Sequence, residues 1–301
     1  MSHLTVSPPF DLARTVAPAW WAQGRWPNVD WVCGAFLWVG WEGGVVAWRS
    51  VQQVDAQTLK ICGSRNSELD AQWAAVVLGT NTAMPKFDDP VLVELTRVHA
   101  GLRPWSAGSL FEGVVSSIVG QSISVAAAAT TERRLCERFN DGMVVGGRRF
   151  WPPPLPEQLA SSTPAFVRES GVTTKRAEAL VAVGALFVES SRSPASDGDH
   201  SADMERLAAI SGIGPWTIQS ALLWGIAAAD AHPTRDVALL RAARAHYSVI
   251  SDLKDLDRVA DRWKPFRAWG ARLLWLDLLG YDESQAVLTV PTVTAHKQHI
   301  P

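Results

Sequence analysis

The stretch SGIGPWTIQSALLWGIA, residues 211–227, is the most informative part of the chain. Together with the residues before it, it fits the pattern h-x-x-h-x-G-h-G, in which h is apolar, at Leu207, Ile210, Gly212, Ile213 and Gly214. The apolar residues close one helix, and the two glycines permit a tight hairpin where a side chain would clash or require a positive φ. Pro215 suits the first position of the next helix. The pattern predicts two helices joined by a hairpin, with bare backbone N–H groups at the start of the second helix that can receive a phosphate.

Composition limits the classes of protein that the chain can represent. Its 301 residues are 47% hydrophobic and 19% charged, which predicts a sizeable core, excludes global disorder and leaves room for one large domain or two ordinary ones. The formal net charge of −2 does not predict tight non-specific binding to nucleic acid through a basic patch. A clamp made of backbone N–H groups and helix dipoles needs no such patch.

The cysteines, the histidines and the apolar runs predict neither a metal site nor a membrane segment. Cys33, Cys62 and Cys136 are far apart and form no C-x-x-C, so we expect packed thiols in a reducing compartment. The histidines show no metal-ligand spacing, and no cofactor is expected. The N-terminus lacks the features of a signal peptide, and the longest apolar run, residues 179–188, is about half a membrane span. A soluble, cytoplasmic protein is expected.

Residues 1–80 are predicted to form a small α/β domain. The segment GAFLWVGWEGGVVAWRSV, residues 34–51, has short apolar and β-branched runs split by glycine, which indicates a small antiparallel sheet. Helices are predicted before it in PFDLARTVAPAWWAQGRW and after it in SELDAQWAAVVLG.

Residues 81–301 are predicted to be helical. LFEGVVSSIVG has a buried stripe with helical spacing, and the turn after it leads into a second helix, SVAAAATTERRLCERF. Residues 139–158 are expected to be a Gly- then Pro-rich connection, and residues 190–203 a loop. Two helices near the C-terminus are split before Pro265, and the last fifteen or so residues lack periodicity. The predicted fold class is α+β, mostly α.

Motifs along most of the chain carry a family resemblance. In order they are PFDLA, GLRP, LFEGVVSSIVGQSISVAAA, KRAEAL, SGIGPWT, the Asp236 segment HPTRDVALL, RWKPFRAW and LLW. This combination, over about residues 8–285, resembles the DNA-3-methyladenine glycosylase II group of the helix-hairpin-helix/Gly-Pro-Asp superfamily of base-excision DNA glycosylases. The resemblance implies a small sheet-containing N-terminal domain and two helical lobes with the active site between them. It also implies excision of alkylated bases, 3-methyladenine and related N-alkylpurines, from duplex DNA in base excision repair.

Asp236, about twenty residues beyond the hairpin, is the candidate catalytic residue. By its position alone it is a helix N-cap at the start of HPTRDVALL. Removal of a base from DNA passes through a transition state with positive charge on the sugar. A carboxylate below that sugar stabilises the charge and can orient a water molecule. The resemblance carries the catalytic aspartate onto the same residue.

Trp216 is the second residue after the last glycine of the hairpin. Members of the superfamily that also cleave the strand typically have a lysine there, which forms a Schiff base with the sugar. Trp216 offers no amine, so we expect a hydrolytic, monofunctional enzyme. Whether Trp216 packs in the core or lines the lip of the pocket is left open, although the resemblance makes it a stacking residue.

Trp275 is the second candidate for stacking on a base, and the resemblance supports it. Its helical neighbours include Ala268 and Ala271, and we expect these small side chains to leave a gap for a planar base. A cationic alkylated base would gain a cation–π attraction there. Simple packing of the indole is the alternative.

Candidate DNA contacts lie in the hairpin and in one turn. The resemblance assigns DNA contacts to Gly212, Ile213 and Gly214 of the hairpin. Thr217, in the first turn of the helix after the hairpin, is also predicted to contact DNA. The turn at Gln121, Ser122 and Ile123 either supplies the side chain that fills the gap left by a flipped base or simply joins two helices.

Two positions depart from the family pattern. Ser122 replaces a leucine wedge, so wedging passes to Gln121 or Ile123 or becomes weaker. Ser220 replaces a tyrosine four residues past Trp216, which changes the shape of the pocket.

Two other functions compete with this hypothesis. The first is an oxidised-base glycosylase with lyase activity, which Trp216 and the missing iron–sulfur cysteine cluster disfavour. The second is a non-catalytic helix-hairpin-helix DNA-binding protein, which Asp236 and the extent of the match disfavour. We expect a monomer, located in the cytoplasm and at the nucleoid when it acts on DNA.

Overall fold

A five-stranded antiparallel sheet forms the N-terminal part of the chain. The computed structural model describes residues 1–17, 25–65, 67–190 and 200–278. The strands have the order β1-β5-β4-β3-β2. Their bounds are β1 (Ser2–Thr5), β2 (Val29–Val32), β3 (Ala35–Glu42), β4 (Val45–Asp55) and β5 (Thr58–Gly63). Alternation along β4 and β5 turns Val51, Leu59 and Ile61 into the core, because successive strand residues face opposite sides. The predicted antiparallel sheet is confirmed.

Helices make up most of the rest, which confirms the predicted fold class. Several begin at a Ser or Asp whose side chain accepts a backbone N–H, as Ser109, Ser124 and Asp89 do. Short 3₁₀ turns occupy Ser67–Leu69 and Asp261–Trp263. The helices are α1 (Leu12–Thr15), α2 (Asp70–Val77), α3 (Pro90–Val98), α4 (Leu110–Gly120), α5 (Val125–Phe139), α6 (Pro156–Ala160), α7 (Pro164–Arg168), α8 (Thr174–Ser190), α9 (Ser201–Ala208), α10 (Pro215–Ile226), α11 (Val237–Arg244), α12 (Leu253–Ala260) and α13 (Arg267–Leu278).

The Gly- then Pro-rich connection is not entirely irregular, which corrects the prediction for residues 139–158. A two-stranded hairpin is formed there by β6 (Met143–Val145) and β7 (Arg148–Phe150). Gly146 and Gly147 join the strands with φ of 59° and 78°, the conformation that a two-residue hairpin turn requires. The paired glycines between the short segments MVV and RRF are a hairpin signal that was missed.

Other expectations fall partly outside the described residues. The predicted first helix is described only as α1, because residues 18–24 lie outside the description, as do residues 191–199 of the predicted loop and 279–301 of the C-terminal tail. Cys136 is buried as expected, whereas Cys33 and Cys62 are only half-buried. Within the described residues, no helix is long and apolar enough to cross a membrane. The domain boundary near residue 80 stays a prediction.

A close crossing of α4 and α10 sets the geometry of the site. A Cβ added at Gly113 would lie 2.5 Å from the carbonyl oxygen of Ala221, and one at Gly225 would lie 2.7 Å from that of Ser109. Only glycine at both positions allows the two backbones to approach this closely. The crossing brings the C-terminal end of α4 against the start of α10, so that the turn after α4 meets the hairpin before α10.

Candidate active site

A cavity of about 840 Å³ lies among α4, α5, α10, α11 and α13. Its size is that of an ordinary small-molecule site. Gly212 and Ile213 do not line it; Gly212 is exposed and Ile213 is buried beneath the hairpin. The predicted site residues that do line it are Gln121, Ser122, Ile123, Gly214, Trp216, Thr217, Ser220, Asp236 and Trp275. Residues about 150 positions apart in sequence therefore meet in one cleft.

The two glycines of the hairpin have different physical roles. Gly212 has a φ of 96°, in the region that favours glycine, as expected. Gly214 is extended, with φ −107° and ψ 177°, and a Cβ added there would meet nothing within 4 Å. The expectation that both glycines avoid a clash or a positive φ is therefore wrong for Gly214. Instead, Gly214 leaves the start of α10 open to the cavity, and as the N-cap it offers no side chain to the helix.

Gln121 connects the turn after α4 to the hairpin. Its Nε2 donates to the carbonyl oxygen of Gly212 at 2.9 Å and to Oγ1 of Thr217 at 2.8 Å. Its own carbonyl oxygen accepts from the guanidinium of Arg176. Thr217 is 2% exposed, so its visible role is to hold Gln121, and its contact with DNA stays a prediction.

The turn presents Ser122 and Ile123 to solvent at the mouth of the cavity. Ser122 has a φ of 50°, and Ile123 is exposed although it is apolar. Since the amide of Gln121 is engaged with the hairpin, Ile123 is better placed than Gln121 to fill a gap in a DNA stack. The identity of the wedge stays a prediction.

Asp236 is both a helix cap and part of the cavity wall. Its Oδ1 accepts from the backbone N–H of Leu239 at 2.7 Å, which caps α11. Its Oδ2 accepts from Nε1 of Trp216 at 3.0 Å. Asp236 can therefore be both a helix N-cap and a catalytic candidate. One of its oxygens caps α11, and the two hydrogen bonds together fix the carboxylate at the cavity. Two donors hold its orientation before any ligand arrives.

Three tryptophans, Trp216, Trp224 and Trp275, line the same cavity as this carboxylate and form an aromatic wall. Trp216 is half-buried at the wall, where its indole N–H orients Asp236. Trp275 stacks on Trp224, with ring centroids 5.5 Å apart and an interplanar angle of 22°. Ser220 is buried between the two tryptophans of α10 along the helix and adds a small polar group to the lining.

The expected gap beside Ala268 and Ala271 does not exist. Both alanines are buried in the core and neither lines the cavity. The reason is that Trp275 stacks on Trp224 of α10. The space for a ligand is the cavity that Trp216, Ser220 and Trp275 line.

Among the cavity residues that the sequence did not predict, Trp224 and Arg272 bear most on the site. Trp224 follows Trp216 and Ser220 at spacings of four residues, so all three share one face of α10, and this periodicity could have identified it. Arg272 lies one turn before Trp275, and its guanidinium carbon is 4.8 Å from the Trp224 ring centroid. No sequence signal separates such a buried arginine from a surface one. Within the described part of the chain, no cluster of three His, Cys, Asp or Glu side chains could hold a metal ion.

Comparison with known proteins gives sequence relatives and fold relatives, although no family model matches the chain. The chain is 27% identical over 198 residues to a DNA-3-methyladenine glycosylase of Bacillus subtilis, covering 62% of this chain and 63% of the relative. It is 28% identical over 191 residues to DNA-3-methyladenine glycosylase 2 of Escherichia coli, covering 64% and 66%. The matches thus span slightly less than two thirds of these relatives.

Solved structures extend the likeness to almost the whole fold. A 3-methyladenine DNA-glycosylase from Archaeoglobus fulgidus superposes with a TM-score of 0.73 at 18% identity, covering 92% of this chain and 97% of that one. An 8-oxoguanine glycosylase/lyase from Clostridium acetobutylicum superposes with a TM-score of 0.64 at 15% identity, covering 89% and 91%.

The chain therefore has the fold of these DNA glycosylases, and its sequence is similar to those of bacterial DNA-3-methyladenine glycosylases over slightly less than two thirds of its length. The fold alone does not separate alkylated-base from oxidised-base glycosylases, because structures of both kinds superpose on it.

Proposed function

We propose that this protein is a monofunctional DNA glycosylase that hydrolyses the N-glycosidic bond of alkylated bases, 3-methyladenine and related N-alkylpurines, in duplex DNA. The observation that carries the proposal is the oriented carboxylate of Asp236 in the wall of an aromatic cavity beside an open helix start. The sequence relatives, which are named DNA-3-methyladenine glycosylases, support the same activity. The direct experiment is incubation with methylated duplex DNA, followed by chromatography of the released bases.

The cavity supplies what this hydrolysis needs. A flipped base enters the space beside Trp216 and Trp275, and its sugar lies near Asp236. As the C1′–N bond breaks, its electron pair goes to the base, and positive charge develops on the sugar opposite the carboxylate. Water then adds hydroxide to C1′ and gives up a proton. The fixed position of Asp236 means that little reorganisation is needed when the charge appears.

DNA reaches this cavity through the hairpin in the proposed mode of binding. The N-terminus of α10 has a positive dipole end and no side-chain cap, which suits a phosphate of the damaged strand. Gln121 links the turn after α4 to the hairpin by its hydrogen bond to Gly212, so the turn and the hairpin can contact the DNA together. We also propose that the protein acts as a monomer in the cytoplasm.

Gly214→Ala tests the hairpin clamp. The extended φ of −107° and the open space at Gly214 accept a methyl group, so the melting temperature should stay the same or rise slightly. A methyl group at the helix start blocks close approach of a phosphate, so we expect affinity for abasic duplex DNA to fall about tenfold, measured by fluorescence anisotropy. The variant Gly147→Ala on the β6–β7 turn is the control for DNA binding. Because its φ of 78° strains an alanine, its affinity is measured at a temperature where the variant is fully folded. Unchanged affinity in Gly214→Ala would remove the hairpin from the DNA interface.

Borohydride trapping tests the monofunctional assignment. Trp216 occupies the position of the amine in lyases, and no lysine is present among the cavity-lining residues in the described part of the chain. No Schiff base should therefore form. Borohydride should not link the protein covalently to DNA that contains a damaged base. A glycosylase/lyase run in parallel provides the positive control. A strong covalent adduct would favour the lyase alternative.

A further inference from the structure

Arg272 is a buried cation in the wall of the cavity that contains Asp236. It is 5% exposed, and its Nη2 donates to the carbonyl oxygen of Leu223 at 2.7 Å. Its Nε is buried without a hydrogen-bond partner, and among the described residues burial alone, with no neighbouring charge, acts on its pKa. A guanidinium with most of its donors uncommitted is costly to bury and needs an explanation.

The charge of Arg272 persists at neutral pH. Burial lowers its pKa to about 9, which still leaves the guanidinium protonated. Its guanidinium carbon lies 4.8 Å from the Trp224 ring centroid, and Trp224 stacks on Trp275. The electron-rich faces of this pair are therefore already shared with one cation. A second cation that stacks there gains less than it would in an aromatic pocket without Arg272.

The charge on a damaged base decides how it responds to such a cation. A base with a fixed positive charge, such as 7-methylguanine, is repelled in the bound state and leaves the sugar as a neutral molecule. A neutral damaged base, such as 1,N6-ethenoadenine, is not repelled. When its C1′–N bond breaks, the electron pair leaves with the base, which carries negative charge until it takes a proton released by water. A buried guanidinium stabilises that negative charge strongly, because the surroundings screen it weakly.

We infer that Arg272 is a specificity-determining residue of the base pocket, which favours excision of damaged bases that are neutral over bases that carry a fixed positive charge. The inference rests on the proposed glycosylase function and concerns the relative rates of its substrates: N-alkylpurines with a fixed positive charge remain substrates, and Arg272 shifts the balance toward neutral damaged bases. Arg272 remains protonated throughout the reaction, since it stabilises the leaving base by charge and hydrogen bonding without transferring its proton. The aromatic wall then selects a planar shape, and Arg272 selects the charge of the base.

Single-turnover excision from two duplexes, at protein concentrations well below saturation, tests this inference. The rate then compares the transition state with free DNA, so that repulsion of the base in the bound complex does not itself speed the reaction. One duplex contains 1,N6-ethenoadenine and the other contains 7-methylguanine. In Arg272→Met, which keeps the length of the side chain and removes its charge, we expect the neutral base to be released about tenfold more slowly. The rate for the cationic base should stay the same or rise. Arg272→Lys should keep the wild-type ratio within about threefold, because the charge is retained.

The control is Arg97→Met, an exposed arginine on α3 that pairs with Glu94. It changes the net charge equally and should leave the ratio of the two rates unchanged. A parallel fall of both rates in Arg272→Met would mean that Arg272 only supports the fold, and an unchanged ratio would overturn the inference.

Binding of nucleosides gives a second measurement that does not depend on catalysis. Isothermal titration with 7-methylguanosine, which is cationic, and with guanosine, which is neutral, should show that Arg272→Met strengthens binding of the cation relative to the neutral nucleoside. Equal changes for both would contradict the inference. If the wild-type protein released neither base from DNA, the proposed function would fail, and the nucleoside titration would still decide whether Arg272 selects by charge.

Discussion

Asp236→Asn should slow the release of 3-methyladenine about 10²–10³-fold in single-turnover assays, a loss of about 2.7–4 kcal/mol of transition-state stabilisation. The substitution keeps the shape of the side chain and removes the negative charge that faces the developing oxocarbenium ion. DNA affinity should be nearly unchanged, because the hairpin and the start of α10 are untouched.

The stability of this variant should change little. An asparagine oxygen can still accept from the backbone N–H of Leu239, and asparagine caps helices as well as aspartate does. The amide nitrogen would then face the indole N–H of Trp216, and the lost hydrogen bond costs about 1 kcal/mol.

A matched helix cap provides the control for Asp236→Asn. Asp252 caps α12 by accepting from Lys254 and Asp255, and it does not line the cavity. Asp252→Asn should excise at the wild-type rate. If Asp236→Asn stays within about threefold of wild type, Asp236 is a helix cap and nothing more.

Trp224→Ala should have the second-largest effect, because it acts on both stability and the pocket. Trp224 contacts Trp26 and Trp105 from the sheet side and Trp275 and Arg272 from α13. Its loss should lower the free energy of unfolding by about 3 kcal/mol, measured by urea denaturation. It should also release Trp275 from its stacked position and weaken binding to DNA with an abasic site.

Trp73→Ala separates these two effects. Trp73 is buried in the core beneath the sheet, in contact with Trp38, and is not part of the cavity. The two variants should lose similar stability, and only Trp224→Ala should lose affinity for abasic DNA at a temperature where both are folded. Equal DNA affinities would show that Trp224 is a packing residue without influence on the pocket.

The parts of the site that follow local rules could be predicted from the sequence. The hairpin depends on glycine and proline within eight residues, and the position of Asp236 at a helix start depends on a local capping pattern. The antiparallel sheet and the buried face of α4 follow from periodicity. The missed hairpin at Gly146 and Gly147 was also local and could have been found.

Other features depend on contacts between segments that are distant in sequence. The stacking of Trp275 on Trp224 and the burial of Arg272 depend on how closely α13 packs against α10. The engagement of Gln121 with Gly212 depends on the glycine crossing of α4 and α10. The residue spacing within one helix does not determine how closely it packs against another. For this reason the gap beside Ala268 and Ala271 was predicted wrongly.

The most direct test of a monofunctional hydrolytic glycosylase is the intact mass of the product strand. A duplex with one 7-methylguanine is incubated with the wild-type protein and analysed by mass spectrometry without heat or alkali. We expect a continuous strand in which the base is replaced by a hydroxyl group, together with the released base. Unchanged substrate under enzyme excess, or a strand already broken at the damaged site, would contradict it.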